Sequence, residues 1–246
     1  MSTSKREEVK IQRQRRKREQ RRNTFLIIAG VILILVALFA SPYIVNALKP
    51  VGNVVAITPV ARPLAEGKTM GDPNAPVVME VFADFQCSSC KRYADTVESL
   101  LISSDYFSNG TLYYVFRQYP FIDKNVATKE SHQAANASMC AMEQGQFWNY
   151  HDMLFSNWTG ENVGDFTNKR LAAFAENLGL NMDQFNTCFK ENKYQTDIEA
   201  DYDLGLRYGV SGTPAVFVNE TAVSPGYIPS YDDLVKAIDT ALAGGG

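Results

Sequence analysis

The chain has 246 residues and a formal net charge of −3, enough for one well-packed domain plus accessory segments. The charge is unevenly spread: residues 1–22 hold ten Lys/Arg and three Asp/Glu, or +7, and the remainder fourteen and twenty-four, or −10. The two parts face different surroundings, and a nucleic-acid-binding tail is disfavoured because the basic block abuts an apolar run.

That run is "TFLIIAGVILILVALFASPYIVNAL", Thr24 to Leu48, with no charge inside it. At 1.5 Å rise it crosses a ~30 Å hydrocarbon core. Lys/Arg next to a span resist translocation, so the sequence predicts a cytoplasmic segment 1–23, a transmembrane signal-anchor 24–48 and everything later outside the cytoplasm. A cleaved signal peptide competes, with Val45-Asn46-Ala47 as cleavage site; the long basic region and long apolar run favour the uncleaved anchor. Residues 49–73 carry prolines and no period and read as a linker.

Residues 74–246 read as one folded domain. "PVVMEVFADF" is apolar and β-rich, as in a strand buried on both faces. "SSCKRYADTVESLL" then places apolar side chains at helical spacing, with Ser88 able to cap its start. "TLYYVFRQYPF" is a second strand, ended by Pro120. From about 125 to 205 the β signal vanishes and four helical patterns follow, punctuated by Gly145, Gly160 and Gly179. Strand character returns in "PAVFVN". A short strand and a helix starting at Ser230 or Tyr231 close the chain. The class is α/β with a helical insertion.

The chemistry sits where the first strand gives way to the first helix, at Cys87-Ser88-Ser89-Cys90. A sulfur at a helix N-terminus meets unpaired backbone N–H groups and the positive end of the macrodipole, which lowers its pKa. Cys87 is then the attacking or attacked sulfur, and Cys90, one turn on, resolves the mixed disulfide. Zinc needs four ligands; only Cys140, Cys188, His132 and His151 remain, without the close spacing of a second pair. Metal, a structural disulfide and a redox pair are the competing readings, and redox is preferred, with no metal and no cofactor. The histidines read as surface or packing residues, and Phe147, Trp148, Tyr150, Phe155 and Trp158 as core.

A second motif sharpens this. "GVSGTPAVFVNE" sets Thr213-Pro214 directly before a strand. With "FQCSSC" some 120 residues earlier, it resembles a thioredoxin-fold oxidoreductase. More narrowly, "MGDPNAPV", "ADFQCSSCKRY", "CAMEQGQFWNYHDMLF", "LGLNMDQFNTCF" and "GVSGTPAVFVN", in that order over roughly residues 69–243, resemble the membrane-anchored bacterial branch of the DsbA-like thiol-disulfide oxidoreductases. The resemblance implies a thioredoxin-like fold with an inserted helical domain. It implies a cis Pro214 that turns Thr213 toward the disulfide for substrate strand pairing, and a Cys140–Cys188 structural disulfide, two free buried thiols being the alternative.

The sequence departs from the family twice. Ser88-Ser89 replaces the Pro-His of the best-known members, leaving helix dipole and hydroxyls to tune the thiolate. Val81 stands where many relatives carry a buried acid as proton acceptor; of its neighbours Glu80 and Asp84, Asp84 is the one the resemblance sets near the thiols, a satisfied polar residue at a strand end being the alternative. The implied function is oxidation of reduced exported polypeptides by a membrane-anchored enzyme, with a membrane reoxidase of DsbB or VKOR type as partner. A reductant or isomerase serving cytochrome or metal-site maturation, and a non-catalytic tethered chaperone, are the alternatives.

Overall fold

The structure is a computed structural model that describes residues 16–18, 21–32, 34–37, 50–125 and 128–244. The chain divides into two units, Met1–Pro50 and Val51–Gly246. In the first, helix α1 spans Arg16–Ala37 and is long and apolar enough to cross a membrane. It begins eight residues before the expected span. The rest of that span, 38–48, and residues 1–15 of the basic block lie outside the described residues.

The second unit is built on a five-stranded sheet in the order β1-β3-β2-β4-β5: β1 Thr69–Gly71, β2 Val77–Ala83, β3 Leu112–Gln118, β4 Ala215–Val218 and β5 Thr221–Val223. β2 and β3 are parallel, and the other pairs antiparallel. β1 lies inside the stretch read as linker, because three residues paired to β3 leave too short a pattern to stand out.

β2 is buried on both faces, as its sequence predicts. Val77, Met79, Val81 and Ala83 belong to the larger core. Phe82 points the other way, into a second cluster with Tyr119, Val210 and Phe217, as period-2 alternation requires. Glu80 is the charged exception. It accepts from Arg117 Nε at 2.8 Å and Nη2 at 2.6 Å, and Arg117 Nη1 donates to Asp201 Oδ1 at 3.1 Å. Lys68 pairs with the same Asp201, so no charge in this cluster is buried alone.

After β2 come α2 Ser88–Tyr93, a π-helical turn Ala94–Glu98, α3 Ser99–Ile102 and the short α4 Asp105–Ser108. The first three form the single helix expected from the periodicity, with a π turn inside it. Between β3 and β4 lie a 3₁₀ turn, Ile122–Asn125, and the insertion: α5 Glu130–Met142, α6 Phe147–Ser156, α7 Asn168–Asn177, α8 Met182–Lys190 and α9 Gln195–Arg207. A disulfide joins Cys140 of α5 to Cys188 of α8, with Cα atoms 5.8 Å apart. Helix α10, Tyr231–Gly244, packs on β2, β4 and β5.

The segment from Val51 to Arg62 is not a free tether. Asn157 clasps Val55 from both sides, accepting its N–H at 2.8 Å and donating to its carbonyl at 2.9 Å. Arg170 Nη1 donates to Val51 O at 2.8 Å. Arg62 reaches inward to Asp152 Oδ1 at 2.8 Å and Glu98 Oε1 at 3.5 Å, with its guanidinium 5.3 Å from the Trp148 ring centroid.

Candidate active site

Strand register brings the two sequence motifs together. Phe82 of β2 pairs with Ala215 of β4 in antiparallel sense, so the exit of β2 and the entry to β4 lie side by side. Cys87 follows the first and Pro214 precedes the second. The Thr213–Pro214 peptide is cis, and the Cys87 thiol donates to Thr213 O at 3.2 Å.

Cys87 is itself the N-cap residue of α2, with extended backbone (φ −77°, ψ 120°) and no side-chain capping bond. Ser88 is therefore the first helical residue, not the cap. The reason is the tight entry: Cys87 N–H donates to Asp84 O at 3.0 Å, and Cys87 O already accepts from Lys91 N at 3.0 Å. The α2 N-terminus is thus aimed at the Cys87 sulfur.

The two sulfurs live in opposite surroundings. Cys87 is half-buried and Cys90 is buried, and neither is bonded to another cysteine. The Cys87 thiol is pulled down to about 6. The largest cause is a hydrogen bond from the Cys90 thiol; burial opposes it, and the Thr213 hydroxyl and the N–H groups of Cys90 and Ser89 add to the lowering. What Ser89 supplies here is main chain, while the Ser88 side chain is exposed. Cys90 moves the other way. Burial first, then its bond to Cys87 and the nearby Cys87 charge, hold it well above an ordinary thiol. One sulfur is a ready thiolate and the other a protonated thiol.

Asp84 is buried beneath the pair. It accepts Gln86 N–H at 2.8 Å and Ile122 N–H at 2.8 Å. Its carboxyl is nevertheless raised to about 7: desolvation outweighs those bonds, and the Cys87 charge adds to the rise. Val81, at the position where an acid was absent from the sequence, is simply core.

Gln86, fully buried, ties the cysteine loop to the insertion. Its carbonyl accepts Trp158 Nε1–H at 2.7 Å, its Oε1 accepts Asn162 N–H at 2.6 Å, and its Nε2 donates to Ser131 Oγ at 2.9 Å. Sequence reasoning missed this hub and assigned Trp158 to the core; adjacency of Gln86 to Cys87 was the available signal. His151 is core, ringed by Phe85, Phe116, Phe147, Trp148 and Phe155. Cys140 and Cys188 are joined to each other and lie in the insertion, so neither is a free thiolate at the site. A groove of about 410 Å³ starts at Ser89, Thr213 and Pro214 and runs to Val223, Tyr227 and Ile228. Tyr227 is 79% exposed there.

The sheet, the insertion and the cysteine loop facing a cis proline together define a thioredoxin-fold protein with a helical insertion. A family model described as Thioredoxin matches residues 65–240. The chain belongs to this family, as a DsbA-like member. It is 25% identical over 194 residues to disulfide bond formation protein D of Bacillus subtilis, covering 74% of this chain and 81% of that one. It is 34% identical over 149 residues to Na(+)/H(+) antiporter NhaA 3 of Salinispora tropica, covering 61% of this chain and spanning only 21% of that protein's length. The crystal structure of oxidised BdbD from Bacillus subtilis superposes with a TM-score of 0.64 at 22% identity, covering 78% of this chain and all of that one.

Proposed function

We propose that the chain is a membrane-tethered, extracytoplasmic thiol-disulfide oxidoreductase that works as a dithiol oxidase on exported polypeptides. The observation that carries this reading is the asymmetry of the pair: a half-exposed Cys87 with a thiol near pKa 6 beside a buried, protonated Cys90. A substrate thiolate attacks the Cys87 sulfur of the Cys87–Cys90 disulfide. That bond breaks, the electron pair goes to Cys90, and a mixed disulfide forms at Cys87. The substrate's second thiolate attacks its partner sulfur and expels Cys87 as a thiolate. A low-pKa thiol leaves fast, which favours this direction.

Thr213 and Pro214 are the substrate-binding residues in this reading. An incoming extended segment pairs with the Thr213 main chain beside the sulfur, as an added strand. Ser88 and Ser89 tune the thiolate by holding the first turn of α2, and the Cys140–Cys188 bridge is structural. Support for the tether is α1 behind a basic N-terminal block. Similarity to disulfide bond formation protein D of Bacillus subtilis supports the direction of exchange. Return to the disulfide form falls to a membrane reoxidase of DsbB or VKOR type.

The test is a refolding assay with the oxidised full-length chain in detergent. Reduced, denatured ribonuclease should gain disulfides stoichiometrically with loss of the Cys87–Cys90 bond, and Cys87→Ser should gain none. Absence of thiol turnover would make the chain a binding module. An equilibrium potential against glutathione near thioredoxin's about −270 mV would instead assign a reductant.

A further inference from the structure

Gln86 stands one residue before Cys87 and is fully buried, yet every polar atom of it is engaged. Its N–H donates to Asp84 Oδ1 and its carbonyl accepts the Trp158 indole N–H. The side-chain amide works in both directions. Oε1 accepts Asn162 N–H at 2.6 Å, and Nε2 donates to Ser131 Oγ at 2.9 Å with Asp123 Oδ1 3.5 Å away. Trp158 and Asn162 belong to the loop between α6 and α7, residues 157–167. The residue beside the reactive sulfur therefore grips that loop twice, once by main chain and once by side chain.

The loop is built to hold one shape. Glu130 accepts Gly164 N–H at 3.1 Å and Phe166 N–H at 3.0 Å, and Asp165 accepts both the N–H and the hydroxyl of Thr159. Thr128 Oγ1 donates to Asn162 Oδ1 at 2.7 Å. Asn162 (φ 57°) and Gly164 (φ 95°) are both left-handed. At a non-glycine residue that backbone is costly and persists only where its surroundings impose it, as at ligand clamps. Val163, between the two, is turned out and 61% exposed. A Cβ added at Gly160 would meet Val163 Cγ1 at 3.2 Å, so the tip is folded closely on that side chain.

We propose that Gln86 is the positioning residue that registers this loop to Cys87, and that the loop, with Val163 outward, is a second wall of the substrate site, used by a polypeptide and not by a small thiol. The inference rests on the oxidoreductase reading above. A segment paired with the Thr213 main chain brings its cysteine to Cys87, and its flanking residues run on past the sulfur. Main-chain pairing supplies affinity without selecting side chains. Val163 adds an apolar contact for a residue beside the substrate cysteine. Such residues are available in an unfolded chain and are mostly buried in a folded one, so the wall favours reduced, unfolded clients. Gln86 keeps the wall in place because its amide needs two unlike partners, a donor in Asn162 and an acceptor in Ser131, and losing either leaves a buried polar group unpaired.

The experiment reacts the oxidised full-length protein in detergent with two thiols, reduced denatured ribonuclease and dithiothreitol, and follows loss of the Cys87–Cys90 bond. The readout is the ratio of the ribonuclease rate constant to the dithiothreitol one. Val163→Ser should lower that ratio several-fold, and Gln86→Leu at least as much. Val163 is exposed, so its variant keeps the test open should Gln86→Leu not fold. Gln86→Glu supplies a rescue. Protonated, its carboxyl keeps an acceptor for Asn162 and a donor for Ser131; ionised, it loses the donor and sets a negative charge beside Asp84 and Asp123, the latter holding Lys129 Nζ on its carbonyl. Its ratio, taken against wild type at each pH, should be near wild type in mild acid and fall toward that of Gln86→Leu as the pH rises. A residue that only fills space would slow both thiols alike and give no such recovery. A wild-type ratio in Val163→Ser or in Gln86→Leu, or a Gln86→Glu ratio that ignores pH, would overturn the inference while leaving the oxidoreductase reading intact. Failure of the wild-type protein to exchange with either thiol would overturn that reading.

Discussion

The Cys87 thiol and the Thr213 carbonyl meet at 3.2 Å across 126 residues of chain. The contact exists because antiparallel pairing of β2 with β4 sets the end of one strand against the start of the other. It leaves Cys87 reachable at the surface and Cys90 behind it.

Alkylation of the reduced protein should therefore modify Cys87 first. The rate follows the thiolate fraction, so it should reach half its plateau at about pH 6. An ordinary thiol titrates near 8.5. Mass mapping that places the first label on Cys90, or a midpoint above pH 8, would reverse the assigned roles.

The depressed Cys87 value depends first on the Cys90 thiol as hydrogen-bond donor. Cys90→Ala removes that donor and should move the Cys87 midpoint upward toward the ordinary value. Cys90→Ser keeps a hydroxyl donor and should hold it lower. Ultraviolet thiolate absorbance against pH measures both. Equal midpoints in the two variants would show that the α2 N-terminus, not Cys90, sets the value.

The Cys140–Cys188 bridge closes a loop of 48 residues between α5 and α8. In the chain-entropy model its loss costs about 4 kcal/mol. Double replacement by alanine should lower the denaturation free energy by roughly that amount while preserving the pH dependence of Cys87 alkylation. A shift in that dependence would tie the bridge to the active site.

The readable parts of this protein are those encoded locally. The β-rich run before Cys87, the helical spacing after it and Thr213-Pro214 before "AVFV" each carry a period or a turn signal of their own. The α/β class and the helical insertion follow from their order. What escaped reading depends on contacts between distant residues. Gln86 is meaningful only once Trp158, Asn162 and Ser131 surround it. The docking of 51–62 rests on Asn157, Arg170 and Asp152, which lie 90 to 119 residues away along the chain and leave no periodic trace. A proline-containing stretch without a period reads the same whether it hangs free or is clasped side by side with a folded body.

Arg62 makes that last distinction measurable. Its side chain is 5% exposed and faces two carboxylates, Glu98 at 2% and Asp152 at 19%. Glu98 also accepts from Tyr114 OH at 2.7 Å, and it sits in the π-helical turn that continues the cysteine helix. Removing the cation leaves buried negative charge uncompensated, which costs about 3–5 kcal/mol. Arg62→Ala in the full chain should lose stability on that scale in urea denaturation, and a chain starting after residue 63 should lose at least as much. Burial alone would raise the Asp152 carboxyl, but His151 and Arg62 hold it below its ordinary value. Its contribution is therefore present above about pH 4 and disappears as the pH falls further. The gap between Arg62→Ala and wild type should accordingly narrow in acid, as Asp152 takes up a proton and no longer needs the guanidinium. A gap that is absent at neutral pH, or that widens on acidification, would show that residues 51–62 merely rest on the domain.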